Sequence, residues 1–518
     1  MKNKNLISAI ILFLFVPIYL IAQTEQVDLN MVYQIKQEGK MNSKIEDLSF
    51  WMTDFLGPRL TASKGKLNAN VWVKNKMIEY GFENVVIDEV RDFDRGGWDN
   101  KRTYVAMTAP YYANFSATPI AWTGSTAGEI RGEAVLMDVK DEKDLEKYKG
   151  QLKGKIIVMP STAIYELSFE PFATRYTEAD LSKIQEESTE ARRRRGNFNM
   201  EDYMKMRQLR QKISEFLITE GAAVILNGSG QFNVPRSSGA SYKSGDPQPI
   251  PEVNLPIEAH GRIMRLLQHK VAVKLEVDIQ NEFSASPQIT NVMGEIKGSD
   301  PKLQDEIVLI GGHLDSWHGG TGAADNASGC IVMMEAMRIL KALDVKPKRT
   351  IRIALWGGEE QGLHGSRGYV EKYIRDPKSN KLKPGFEKFD VYFNMDNGTG
   401  KFRGIYLQQN EMVRPLFEEW MKPFNPMGMN TIAIGNTGGT DHQSFDPLGL
   451  PAFQFIQDEI EYDRGYHTNM DTYERLVMGD LTHNAIVVAS FIYNAAMRDT
   501  QLPRKPYKAP VDGERRMF

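Results

Sequence analysis

The apolar positions of this chain change rhythm along its length. From Gln288 onward, short β-branched runs alternate with longer apolar or amphipathic stretches such as "SGCIVMMEAMRIL". Five runs, "EIVLIGGHLDS", "TIRIALWGGEE", "DVYFNMDN", "TIAIGNTGGTDH" and "PAFQFIQDEIEYDRGYH", pass from apolar residues straight into glycine or charge. Strands alternating with helices predict an α/β fold, a mostly parallel central sheet flanked by helices. Nearer the start, "IEDLSFWMTDFLGPRLTASKGKLNANVWVKNKMIEYGF" reads as two helices around a Gly57-Pro58 stop, followed by short strands to about Pro110.

Between about Ala121 and Phe283 the pattern is different. "GEAVLMDV", "GKIIVMP" and "GAAVILN" are short strands bounded by glycines, and "KVAVKLEVDI" alternates with period two. This stretch holds no cluster of metal-binding residue types and predicts a separate β-rich module. Inside it, "TEADLSKIQEESTEARRRRGNFNMEDYMKMRQLRQKISEFL" is rich in helix formers; its arginine run, Arg192 to Arg195, reads as a solvated helix face. The expected division is a leader at 1–22, the first part of the α/β domain at 23–120, the inserted β-rich module at 121–283 with a helical insertion at about 165–215, and the main α/β part at 284–518.

Composition narrows the functions available. A chain of 518 residues is too long for one ordinary core, and 41% hydrophobic with 25% charged residues is the balance of a folded, water-soluble protein. A net charge of -3 gives no attraction to nucleic acid and no general attraction to membranes. The opening "MKNKNLISAIILFLFVPIYLIAQ" has the basic start and apolar run of a secretory signal peptide. A membrane anchor is the competing reading; Pro17 and the marginal length favour cleavage, so the expected product is exported, periplasmic or secreted, with no membrane attachment afterwards. The only cysteine is Cys330, so no intramolecular disulfide can form, and its setting is that of a small apolar helix residue.

The strand endings carry the chemistry: His313 and Asp315, then Glu359 and Glu360, then Asp396, then Asp441 and His442, and finally His467. Asp325, in "GGTGAADNASG", stands just before an apolar helix. Ligands of open α/β sheets bind beyond the carboxyl ends of strands, so these residues can converge although distant in sequence. Imidazoles and carboxylates without thiolate suit zinc, and one carboxylate can bridge two ions about 3.5 Å apart. A lone Asp at a strand end is usually a turn or a cap; five such endings in one domain outweigh that reading. His313 and Asp315 lie on the same side of their strand, where a carboxylate can hold the imidazole. The adjacent Glu359 and Glu360 must point differently, so one can bind metal while the other acts as general base.

"GGHLDSW", "GAADNASG", "WGGEEQGLHGS", "FNMDN" and "YHTNMDTYE" resemble the ordered motifs of the M28 family of co-catalytic dizinc exopeptidases. The resemblance runs from Gln288 to about Ala496 and includes "LGPRLTASKGKLNANVWV"; the middle module is similar to the protease-associated domain of several members. It implies that His313, Asp325 and Asp396 hold one zinc, with Asp325 bridging to a second held by Glu360 and His467. It also implies Glu359 as general base, Asp315 as partner of His313, Tyr466 as a contact to the tetrahedral intermediate, and a cis Asp325-Asn326 peptide. Asp441 and His442 resemble a loop near the substrate in some relatives; loop structure is the equal alternative. Trp317, Trp356 and His318 flank the motifs and are explained by packing. The expected function is a secreted exopeptidase, foremost an aminopeptidase, acting on peptides. The alternatives are carboxypeptidase or dipeptidase specificity, a non-catalytic receptor on the same scaffold, and glutaminyl cyclisation.

Overall fold

The computed structural model describes residues 25–165, 167–186, 200–285 and 288–507. The expected signal peptide and the arginine run Arg192 to Arg195 therefore lie outside the described residues.

Four strands form the centre of the first sheet: β1 (Ile307–His313), β2 (Thr350–Trp356), β3 (Phe389–Asn394) and β4 (Ala452–Gln457). They pair in parallel in the spatial order β2-β1-β3-β4. Such strands are covered on both faces, which is why they read as almost continuous apolar runs. Antiparallel pairings extend the sheet through Gln288–Ile296 and then Glu83–Asp92 beyond β2, and through Phe402–Tyr406 beyond β4, while the outermost Thr431–Ala433 pairs in parallel with Phe402–Tyr406. One face packs against helices α1 (Ser328–Ala342) and α2 (Met478–Met497) through a core that includes Ile310, Met333, Phe393 and Phe491. The other face is filled by Trp356, Tyr369, Tyr392 and Phe445. Cys330 is buried in α1, and burial pushes its thiol up to about 12, as befits a packing residue.

At Gly329 the approach of α1 to the sheet is decided by a missing side chain. A Cβ there would sit 2.4 Å from the carbonyl oxygen of Met395 and 2.6 Å from Asn326 Oδ1. Glycine lets the loop carrying Asp325 settle on the end of β3.

The second sheet also has eight strands, including Gly97–Ala109, Ile130–Leu136, Ile156–Val158, Val224–Gly228, Glu252–Leu255 and Lys274–Ser284. It has its own core, with Val105, Val158, Leu226, Val253 and Val277 at its centre. Sequence reading placed Gly97–Ala109 before the boundary at 121, but this strand belongs to the second sheet, antiparallel to Lys274–Ser284. Local alternation shows that a segment is a strand and not which distant strand it joins. The helical insertion consists of Glu178–Glu186 and Met200–Glu220 among the described residues. The second of these extends past the expected end at 215, because Ile213 and Leu217 pack under the sheet with Ile157 and Ile225. Ahead of the first, Arg175 pairs with Asp458 at 2.9 Å and Asp480 at 2.7 Å, tying the insertion to the first module.

Candidate active site

The carboxyl ends of the four parallel strands gather the singled-out residues into one buried cluster. β1 ends at His313, whose Nε2 lies 3.1 Å from Asp325 Oδ1 and 3.3 Å from Asp396 Oδ1. The other oxygen of Asp325, Oδ2, is 3.2 Å from His467 Nε2, which in turn is 3.0 Å from Glu360 Oε2. One carboxylate thus faces two imidazoles, and each imidazole has a further carboxylate of its own. Glu359 lies close by, with Oε2 4.0 Å from His313 Nε2. Ligand atoms of His313, Glu359 and Asp396, and those of His313, Asp325 and Glu360, lie within 4.8 Å of one another. The Asp325-Asn326 peptide is cis.

Electrostatics show what the cluster is suited to hold. Burial raises Glu360 to about 8, with the nearby Asp325 adding to the effect. Burial likewise raises Glu359 well above the carboxylate range, and Asp396, Asp441 and Glu360 add to it against the opposing pull of His313. Although burial opposes it, His467 is raised to about 9 by Asp325 and Glu360, and His313 is raised by Asp396 and Glu359. Glu360 Oε1 is buried with no hydrogen-bond donor among the described residues. Negative charge this dense, out of water, calls for cations. The donor set of imidazole nitrogens and carboxylate oxygens fits zinc ions.

The supporting residues differ from expectation in one respect. His313 Nδ1 meets the backbone carbonyl of Asp315 at 2.9 Å, whereas the carboxylate oxygen Oδ1 is 3.9 Å away. The Asp315 carboxylate instead accepts from Thr61 Oγ1 at 2.9 Å and from the amides of Glu359 and Glu360, both at 3.2 Å. Asp315 therefore fixes the turn that splays the two glutamates, and it orients His313 with its main chain.

Sequence reading missed three residues that build the Asp325 loop and its surroundings. Asp471, four residues after His467 in "YHTNMDTYE", accepts from the amides of Ala324 at 2.6 Å and Asp325 at 3.1 Å. Arg59, wholly buried beside the Gly57-Pro58 turn, donates to the carbonyls of Leu314, Met52, Gly57, Thr321 and Gly322 at 2.6 to 3.1 Å. Thr61 is the third. An aspartate inside a recognised motif and an arginine beside a glycine-proline stop were the available signals.

The remaining candidates fall in two groups. The ring of Tyr466 stacks on that of His467, centroids 3.6 Å apart, while Trp317 is 5.8 Å from His467. Asp441 and His442 are buried. Burial raises Asp441 to about 7, and its charge is felt by Glu359, whereas His442 Nε2 turns to the Thr437 carbonyl at 2.9 Å and braces its own loop. Packing accounts for Trp356, whose Nε1 donates to Tyr392 Oη at 2.7 Å, and for His318, set edge-on against Trp98 at 5.0 Å.

An α/β sheet with histidines and acids gathered at its carboxyl edge defines a metal-dependent hydrolase. Residues 291–492 match the sequence model of peptidase family M28, and the chain carries an M28 metallopeptidase domain. Carboxypeptidase Q of Mus musculus is 25% identical over 90% of this chain and 88% of its own length. Aminopeptidase YwaD of Bacillus subtilis is 28% identical over 54% of this chain and 58% of its own. Among solved structures, a peptidase M28 precursor from Shewanella amazonensis superposes with a TM-score of 0.64 at 24% identity, covering 92% of this chain and 98% of that one. BSAP, a zinc aminopeptidase from Bacillus subtilis, superposes with a TM-score of 0.55 at 19% identity, covering 88% of this chain and 95% of that one. Among the described residues no helix is long and apolar enough to cross a membrane.

Proposed function

We propose that this M28 metallopeptidase is an exported, two-zinc exopeptidase, foremost an aminopeptidase. His313, Asp325 and Asp396 would hold one zinc, and Asp325, Glu360 and His467 the other. The observation that carries this reading is the Asp325 carboxylate, with one oxygen toward His313 and the other toward His467. Bound zinc supplies Lewis-acid polarisation of the scissile carbonyl and acidifies water. Glu359 takes the proton from the attacking water and passes it to the leaving amine as the peptide C–N bond breaks, giving one carboxylate and one amine product. Its buried setting among acids favours proton uptake, the property a general base near neutral pH needs. Tyr466, stacked on His467, is the residue proposed to contact the tetrahedral intermediate; Asp441 tunes Glu359 through its charge, and His442 holds the loop. The middle module is read as a protease-associated domain.

Similarity to carboxypeptidase Q over 90% of this chain favours carboxypeptidase or dipeptidase specificity as a second reading. A panel of dipeptides, aminoacyl nitroanilides and N-blocked peptides, assayed with chelator and with added zinc, tests both. Zinc-restorable hydrolysis confined to free amino termini supports the first reading; no hydrolysis of any member sinks the peptidase assignment.

A further inference from the structure

Arg236, contributed by the second module, stands beside this site with no acid among the described residues to neutralise it. Its backbone is clamped: Arg236 bridges Thr468, the Ser237 amide donates to the His467 carbonyl at 2.7 Å, and Asn254 Nδ2 donates to the Arg236 carbonyl at 2.7 Å. Ser237 Oγ accepts from the Gly319 amide at 3.0 Å, so the segment is fastened to the loops on both sides of the cluster. From this base the half-buried side chain places its guanidinium 5.4 Å over the ring of Tyr466. Among the described residues its guanidinium makes one hydrogen bond, a long one, 3.4 Å from Nη2 to the Tyr466 carbonyl. No carboxylate oxygen of the described residues comes within 4.0 Å of it.

Other arginines, on the first module, have carboxylates within reach. Arg464 lies 3.8 Å from Glu461 and leans on Phe172, Arg475 pairs with Glu461, and Arg403 pairs with Asp458 at 3.0 Å. Among the described residues, Arg236 alone of these four has no carboxylate oxygen within 4.0 Å of its guanidinium. It also lies next to a strongly anionic cluster without pairing to any member of it, so its partner is to be sought in what enters the site. A guanidinium fork matches a carboxylate in shape and charge. The steps from the His467 ring to the Tyr466 ring and from there to the guanidinium are 3.6 and 5.4 Å, so the guanidinium lies no farther from the His467 ring than about two to three extended residues reach, at roughly 3.4 Å each.

We propose that Arg236 is a specificity residue that anchors a substrate carboxylate, either the free carboxyl terminus of a short peptide or an acidic side chain. It rests on the peptidase reading above and assigns the second module a part in substrate selection. The charge is carried by a residue that supplies no metal ligand, so removing it acts on substrate binding and leaves the reacting groups in place.

The test uses the full chain loaded with zinc and three substrates: alanyl-alanine, its carboxyl-terminal amide, and alanyl-aspartyl amide. Arg236→Met should raise KM roughly 10- to 100-fold on the substrates whose carboxylate it holds, with kcat within about twofold, and leave the uncharged amide unchanged. Arg236→Lys should restore part of the loss, since it keeps the charge and lacks the fork. Loss on alanyl-alanine identifies the terminal carboxylate; loss on the aspartyl amide alone identifies the side chain. An equal fall on all three, or no change on any, overturns the proposal and leaves Arg236 a structural residue. Calorimetric binding of the same three peptides to zinc-loaded Glu359→Gln separates the two readings. Arg236-dependent binding without hydrolysis by the native protein would sink the peptidase reading and keep this one; hydrolysis with binding indifferent to Arg236 would do the reverse.

Discussion

Both modules contain an eight-stranded sheet, and both sheets hold four neighbouring parallel strands. Each sheet therefore has a carboxyl edge at which loops converge. In the first, that edge carries His313, Glu359, Glu360 and Asp396; in the second, the corresponding loops carry Asp138, Pro160, Ser161, Ser229 and Pro256, with no imidazole beside a carboxylate among the described residues. A small cavity of about 140 Å³ lies there, lined by Ser161, His260 and Met264. Burial holds His260 below the ordinary imidazole range, and no acid among the described residues pairs with it. Topology provides a place for chemistry at both edges; only the residues at one of them use it.

The hardest blow to this contrast comes from the two adjacent glutamates. Glu359→Gln should lower kcat by at least 10²- to 10⁴-fold, roughly 3 to 5 kcal/mol, with zinc content unchanged. Glu360→Gln should lower zinc stoichiometry toward one and regain part of its activity in excess metal. Steady-state kinetics beside metal analysis distinguishes them; full activity in zinc-replete Glu359→Gln removes the catalytic role assigned to this edge. Next in size is Asp471→Asn, which weakens the grip on the Ala324 and Asp325 amides. Zinc affinity should fall roughly 10- to 100-fold in competition with a chelating dye, as for other residues that orient ligands.

A smaller effect concerns acid stability. His483, buried in α2 behind the first sheet, is held at about 4, chiefly by burial and by Lys401. Below about pH 6.5 the unfolded chain takes up this proton before the folded one does, so stability present above that pH is lost as pH falls toward 4. His483→Leu should abolish about 2 kcal/mol of the loss between pH 7 and pH 5, read from denaturant titrations at the two values. The smallest effect sharpens the comparison by its absence: His260→Gln, at the carboxyl edge of the second sheet, should leave kcat/KM and zinc content unchanged. A drop in either would mean that the second edge shares in the chemistry.

Much of the site was legible because five apolar runs of one domain end in imidazoles or carboxylates. His313, Asp325, Glu360, Asp396 and His467 could be picked out one by one, and the parallel sheet brings them together. What stayed hidden depends on partners far away in sequence. Asp315 reads as a carboxylate beside a histidine, but its carboxylate serves amides 44 and 45 residues later. The strand Gly97–Ala109 announces itself as a strand, yet its partner follows across the whole inserted module. Arg236 offered no signal, since its meaning comes from the Tyr466 ring beside it.

The contacts of Arg59 and Asp471 have a consequence for biosynthesis. The loop bearing Asp325 is gripped from one side by Arg59, through Thr321 and Gly322, and from the other by Asp471, through Ala324 and Asp325. These two residues lie near opposite ends of the sequence, with an entire second module threaded between them. Closing so long a span is a slow, late event in folding. A chain emerging from the ribosome thus carries no organised Asp325 loop until nearly all of it has been made, and the cluster of imidazoles and carboxylates around it is among the last parts of the molecule to form.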